Sequence, residues 1–314
     1  MLLRTLVKIR TTPLLQMTTT ALESPVETGS AVDRPRAIGA ILVAAGRLTP
    51  ANAEKIQIAA VKSGIKFGDA AIRLKLATSE DIEFALGRQY NYPILSYGPQ
   101  GNVASAVVAA YKPQYAIVES LRTLRSRLSL GWLNNADRNV LAIVSPQRGD
   151  GRSWFAANLA TVFAQAGQRT LLIDADMRHP GQHKLFNLSN EVGLSALLTG
   201  RAGPDIAHRV HPQLSLLVIP TGGQPPNPQE LLTGQAFEVI LNRFASQVDL
   251  IIIDTPAATD SADAEILAAR AGAAVILSRR GHTRPARLRS TMDGLIRSGV
   301  KVIGSVFNER PKRR

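Results

Sequence analysis

The run from Val140 to Ala157, VLAIVSPQRGDGRSWFAA, contains the residues best suited to chemistry. An apolar stretch leads into a glycine-rich turn and then into a helix-forming segment. A loop of this kind aims backbone N–H groups at phosphate oxygens, sets a cation against the β- and γ-phosphates and places a Ser or Thr hydroxyl on Mg2+. Ser153 supplies the hydroxyl and Arg152 the cation, and Arg148 in the same loop could share that task. The strict pattern G-x-x-x-x-G-K-[ST] is broken twice, by Pro146 and by Arg152. Gly149 and Gly151 still let the backbone approach a ligand closely, and Ser153 opens a helix whose N-terminus attracts phosphate. Arginine is planar, longer than lysine and permanently charged, so nucleotide binding should survive this exchange better than rate.

Three acids stand where they could complete such a site: Asp174 and Asp176 at the end of LLIDAD, and Asp254 at the end of LIIIDTP. Mg2+ takes oxygen ligands in a tight octahedron and keeps several waters, so Ser153, one or two of these carboxylates and phosphate oxygens would suffice.

The elements that must position these residues alternate from Glu119 onward. Short, β-branched, nearly continuous apolar runs at Val140 to Val144, Leu171 to Asp174, Leu214 to Ile219, Leu250 to Asp254, Ala273 to Leu277 and Val302 to Phe307 read as strands covered on both faces. Helical stretches lie between them at Ser153 to Gln165, Pro228 to Ala245, Ala262 to Ala271 and Ala286 to Ser298. The alternation predicts an α/β fold, a doubly wound and mostly parallel sheet that binds ligands at the C-terminal strand ends.

Ahead of it, Ile38 to Thr49 and Phe67 to Thr78 form a weak repeat with an offset of 29 residues. Thr49 and Thr78 read as helix N-caps, with Pro50 at a first helical position and Asp81 three residues after Thr78. The expected organisation is a disordered leader over residues 1–34, a small all-helical module over 35–98, a linker over 99–118 and the nucleotide domain over 119–314.

The chain has 314 residues, an apolar share of 45% and no cysteine, which excludes disulfides, thiolate metal sites and a cysteine nucleophile. No apolar run approaches the roughly 20 residues of a membrane span. The net charge of +13 is concentrated from Arg279 to Arg314, where 11 Lys/Arg stand against Asp293 and Glu309. That segment is either a solvated face and tail or a surface for nucleic acid, anionic lipid or an acidic partner.

From Glu119 to the end the chain resembles the cytoplasmic domain of bacterial tyrosine kinases that control exopolysaccharide chain length, most of all the separately encoded EpsG type. The resemblance is carried by ESLRTLRSRL from Glu119, SPQRGDGRSWFAANLA from Ser145, LLIDADMRHP from Leu171, GLSALLTG from Gly193, PPNPQELL from Pro225 and DLIIIDTPAATDSADA from Asp249. It implies ATP and Mg2+ as cofactors, with nucleotide contacts from Arg148, Gly149, Asp150, Gly151, Arg152, Ser153, Trp154 and Asn308. Ser153, Asp176 and Asp254 would hold Mg2+, and Arg152, Asp174, Asp176 and Asp254 would carry catalysis, with Asp174 accepting the tyrosyl proton. Glu119, Arg122 and Arg125 match the E-x-x-R-x-x-R element through which such kinases form homo-oligomeric rings. The implied setting is cytoplasmic, at the inner membrane through a membrane-embedded chain-length determinant partner.

All five tyrosines precede the phosphate loop, so the C-terminal tyrosine cluster that such kinases autophosphorylate is absent. Tyr111 and Tyr115 are the expected acceptors within the chain. The N-terminal module is similar to the small domain ahead of secretion and pilus-assembly ATPases, some of which bind cyclic di-GMP. Gly39 and Gly68 match that domain, whereas Ala37, Lys66 and Lys75 depart from it, making partner docking the first expectation and cyclic di-GMP the second. Two other functions compete: an ATP-binding scaffold that gates polysaccharide polymerisation, and a partition-type ATPase using the basic surface on DNA. Against the latter, and against nucleic acid as partner, Gln147 stands where such ATPases carry a signature lysine.

Overall fold

The computed structural model describes residues 37–90, 92–95, 103–135 and 139–309. The leader expected over 1–34, Tyr97 and the basic tail from 310 lie outside them.

Four helices come first: α1 (Ile38–Ala44), α2 (Pro50–Ser63), α3 (Phe67–Arg73) and α4 (Ser79–Gln89). Their starts are set by the two threonines. Thr49 accepts a hydrogen bond from the N–H of Asn52 ahead of Pro50, and Thr78 forms a reciprocal capping box with Asp81. Leu42, Ile56, Ala70, Ala71 and Ala85 fill the centre of this small core. A Cβ on Gly39 would sit 3.0 Å from the Phe67 ring, and one on Gly68 would sit 3.0 Å from Ile82, so both repeat glycines are sites of close helix packing.

Next come α5 (Val108–Tyr111) and α6 (Ala116–Gly131). The linker expected up to residue 118 is therefore corrected in part: α5 buries Ala109, Ala110 and Tyr111 against the main core. The main sheet and its helices follow as β1 (Val140–Val144), α7 (Arg152–Gln165), β2 (Thr170–Asp174), α8 (Gln182–Leu185), α9 (Leu194–Leu198), β3 (His208–Arg209) and β4 (Leu216–Ile219). The chain continues through α10 (Pro228–Thr233), α11 (Gln235–Ala245), β5 (Leu250–Asp254), α12 (Asp263–Ala271), β6 (Ala273–Arg279), α13 (Pro285–Arg297) and β7 (Lys301–Asn308). The single helix expected from Pro228 to Ala245 breaks at Gly234, whose ψ of 157° is extended.

The strand order is β3-β4-β2-β5-β1-β6-β7, all parallel except the short β3, which pairs antiparallel with β4 and had no sequence signal. Successive side chains of a strand point to opposite faces, and both faces here are covered. Leu141 and Ile143 of β1 enter one core with α5, α6 and α7; Val140, Ala142 and Val144 enter the other with α11 and α12. β1, β2 and β5 are buried throughout, which is why their sequences are nearly continuous apolar runs, with Asp174 and Asp254 ending β2 and β5. β5 lies between β1 and β2, with Asp254 in register with Ile143 on one side and Asp174 on the other. The loops after these three strands therefore open side by side.

Candidate nucleotide-binding site

The loop Ser145 to Gly151 joins β1 to α7, and its glycines take conformations that side chains disfavour: φ is +83° at Gly149 and +102° at Gly151. Gly151 is constrained a second time, because a Cβ there would lie 2.5 Å from Asn308 Nδ2, which donates to the carbonyl of Asp150 at 2.9 Å. Gly151→Ala is therefore expected to weaken nucleotide binding by at least about tenfold, since the left-handed backbone alone costs about 1–2 kcal/mol per L-residue. Isothermal titration with ADP checks this, and unchanged affinity would contradict the role of the turn.

Arg152 begins α7 and folds back beneath the loop. Its Nε donates to the carbonyl of Thr255 (2.9 Å), and its Nη1 donates to Ser145 Oγ (2.6 Å) and to the carbonyl of Gln147 (2.9 Å). Nη2 faces Asp176 Oδ2 at 3.9 Å. The guanidinium thus ties the loop after β1 to the loop after β5 while remaining beside the acids. Lysine, with one nitrogen, could not make this set of contacts.

Asp150, expected among the nucleotide contacts, has a fully buried side chain and can offer a ligand only its backbone. Its carboxylate accepts from the N–H of Gln147 (2.8 Å) and from Thr283 Oγ1 (2.5 Å), so its side chain braces the loop from inside. The turn between β6 and α13 grips the same loop: Arg279 Nη1 donates to the carbonyl of Gly149 (2.8 Å), and His282 Nε2 contacts the carbonyl of Arg148 at 2.7 Å. Arg279, His282 and Thr283 were missed from sequence because nothing local marks them; their role exists only once β6 lies beside β1.

The acids converge as expected. Asp174 is fully buried; its Oδ2 accepts the N–H groups of Gly181 and Gln182 (2.9 Å each), and its Oδ1 accepts that of Asp176 (3.3 Å). Burial, followed by the charge of Asp254, pushes the Asp174 carboxyl up to about 8. Burial also raises Asp254, to about 6, against the lowering effects of Arg152, Gln182 and Ser153. Asp176 accepts the N–H of His179 (2.8 Å) and reaches the site through Arg152. Gln182, another residue that sequence reading missed, is buried between Asp254 and Ser153.

Among the described residues no three Asp, Glu or His side chains group as metal ligands. The residues present nevertheless fit Mg2+ in its phosphate-bound mode, which needs only one or two carboxylates. Asp254 Oδ1 is buried without a hydrogen-bond partner, and the Ser153 hydroxyl is near enough to this carboxylate to lower its proton affinity. A cation at Asp254 and Ser153 would remove that deficit.

Trp154 and Asn308, both expected as nucleotide contacts, line one groove of about 540 Å3 together with Ile117, Leu121, Phe155 and Val306. It is largely apolar and adjoins the loop, suiting a nucleoside base. Glu119, Arg122 and Arg125 lie on α6, which forms one wall. Arg122 pairs with Glu119 (3.1 Å) and donates to the Tyr92 hydroxyl (2.8 Å), which in turn donates to Gln165 (2.7 Å). Arg125 donates to the carbonyl of Val162 at 3.4 Å. Tyr111 is corrected as an acceptor: it is 4% exposed, with its hydroxyl bonded to the carbonyl of Val103. Tyr115, 46% exposed, remains accessible.

No protein-family model matches the chain. Over 202 residues it is 34% identical to tyrosine-protein kinase YwqD of Bacillus subtilis (strain 168), covering 64% of this chain and 85% of that protein. The chain belongs to the bacterial tyrosine-protein kinase family. Its likeness to the solved kinase domain of the Escherichia coli tyrosine kinase ETK has a TM-score of 0.65 at 30% identity, covering 70% of this chain and 85% of that one. Tyrosine-protein kinase ptk of Acinetobacter johnsonii is 34% identical over 226 residues, which are 71% of this chain but 29% of ptk. The chain thus spans less than a third of the longer relatives it matches. The doubly wound, mostly parallel α/β fold expected from sequence is shared with that kinase domain, and no helix among the described residues is long and apolar enough to cross a membrane.

Proposed function

We propose that this family member transfers the γ-phosphoryl group of ATP to tyrosine, on itself or on another protein, and acts with a membrane-embedded chain-length determinant in polysaccharide export. The observation that carries the reading is the convergence of Ser153, Arg152, Asp254, Asp174 and Asp176 at the ends of three adjacent strands. Ser153 and Asp254, with Asp176 beside them, would hold Mg2+, which supplies charge neutralisation on the phosphates. The loop amides and the N-terminus of α7 would bind the phosphates. Arg152, fixed by three acceptors, holds its charge where the equatorial oxygens need it, a preorganised contribution that requires little movement during transfer. Asp174, ionised when Mg2+ and nucleotide enter the site, would take the proton of the tyrosyl hydroxyl; its Oδ1 carries only the long contact from Asp176, and its raised proton affinity favours acceptance.

Tyr115 is the acceptor candidate within the described chain. Homo-oligomerisation through Glu119, Arg122 and Arg125, and a cytoplasmic position at the inner membrane through the partner, complete the proposal. Cyclic di-GMP binding by the N-terminal module remains the second expectation there, after partner docking.

Incubation with radiolabelled ATP, Mg2+ and the membrane partner should label tyrosine, and Asp174→Asn should reduce that labelling by about 100-fold or more, the scale of a lost general base. Unchanged labelling in the variant would remove Asp174 from the mechanism. One observation favours a second reading, an ATP-binding scaffold: the Arg152 cation is already engaged inside the protein. Nucleotide binding without tyrosine labelling under any partner condition would select the scaffold.

A further inference from the structure

Gln182 opens the short helix α8, eight residues beyond Asp174, and is fully buried. Its side-chain amide makes two hydrogen bonds. Nε2 donates to Asp254 Oδ2 at 2.8 Å and to the backbone carbonyl of Ser153 at 3.1 Å, while the Gln182 backbone N–H donates to Asp174 Oδ2 at 2.9 Å. One residue therefore touches all three strand-end motifs. The amide orientation follows from its surroundings: both neighbours of Nε2 are acceptors, so a flipped amide would press oxygen against oxygen.

Two further atoms give this arrangement a direction. Gln182 Oε1 and Asp254 Oδ1 are both buried, and neither has a hydrogen-bond partner. Buried acceptors are ordinarily satisfied. Here the amide occupies one oxygen of Asp254 and leaves the other open, and its own oxygen is open as well. A hydrated Mg2+ would supply what both lack: a cation for the carboxylate and a water O–H for the amide oxygen.

We propose that Gln182 is a positioning residue for the metal, selecting which oxygen of Asp254 is presented to Mg2+ and accepting a hydrogen bond from a water in its shell. This rests on the nucleotide and Mg2+ reading of the site. Gln182 acts through Asp254 and touches neither the tyrosyl acceptor nor the phosphoryl group. Outer-shell partners of this type commonly change metal affinity by about 10–100-fold when replaced.

The test compares ADP affinity with and without Mg2+ by isothermal titration, in wild type, Gln182→Met and Gln182→Asn. Methionine keeps the length and apolar volume but removes both donor and acceptor; asparagine keeps the amide on a stem too short to bridge Ser153 and Asp254. Wild type should bind ADP more tightly with Mg2+. Both variants should keep the metal-free ADP affinity within about twofold and lose about tenfold or more of the Mg2+ enhancement. General loosening of the site would lower the metal-free affinity too, which separates packing from positioning. If Gln182→Met does not fold, Gln182→Asn alone decides. A full Mg2+ enhancement in either folded variant overturns the proposal. Absence of any enhancement in wild type overturns it differently, by removing the metal reading on which it stands.

Discussion

Arg152→Ala is expected to reduce tyrosine labelling by about a thousandfold or more, the scale on which a transition-state cation acts in phosphoryl transfer. Two losses combine. The site loses the cation beside Asp176 and Asp254, and the carbonyls of Thr255 and Gln147 and the Ser145 hydroxyl lose a charged donor. Hydrogen bonds to charged groups are worth about 1.5–3 kcal/mol each, so the loop should also lose its fixed shape and ADP affinity should fall. Arg152→Lys separates the two effects: it restores a charge but cannot reach all three acceptors. The lysine variant should recover labelling to within about a hundredfold of wild type while melting at a lower temperature, because charge is kept and bracing is not. Single-turnover labelling and thermal melts on both variants measure this. Wild-type labelling in Arg152→Ala would exclude the arginine from transfer.

The second large effect is a reversed pH dependence. Asp174 is raised to about 8 and Asp254 to about 6, above the ordinary aspartate value of 3.8. The folded protein therefore holds protons at this site that the unfolded chain has released. Stability from these groups is fully present below about pH 4 and is lost as pH rises through 6 and then 8, by up to about 1.4 kcal/mol per pH unit for each proton. The two acids interact, so the pair titrates in two shared steps. Asp174→Asn should remove the upper part of this decline and melt at a higher temperature than wild type at pH 8 without nucleotide. Mg2+ and ADP should favour the ionised pair, so their binding near pH 7 should release protons. Calorimetry in two buffers of different ionisation enthalpy reads that release, and proton uptake on binding would show that the acids are not the metal's ligands.

Much of the site was legible because its chemistry is written locally. A strand ending in aspartate, a loop with two glycines and a helix opening on serine each carry their own signal, and the parallel sheet brings them together. Residues that act through tertiary contacts were not legible. Gln182 is a neutral residue in a short segment after LLIDADMRHP, and its value comes from the distance to Asp254, 72 positions away. The task of the Asp150 carboxylate was hidden for the same reason: its position inside the loop suggests ligand contact, whereas Thr283, 133 positions later, draws the side chain inward. In the same way Tyr111 precedes α6 as an acceptor should, but the apolar positions around it draw it into the core. The break at Gly234 divides a helix that periodicity alone reads as one.

The grip on the phosphate loop also bears on how much of the chain the site needs. Its partners are Thr255, the turn from Arg279 to Thr283 and finally Asn308, the last residue of β7 and 158 positions beyond Asp150. Contacts of such long sequence separation carry a loop-closure cost that must be met before they form. The loop's shape therefore depends on the far edge of the sheet. A chain cut before β7 would carry the entire phosphate motif but lack the Asn308 contact that closes on it.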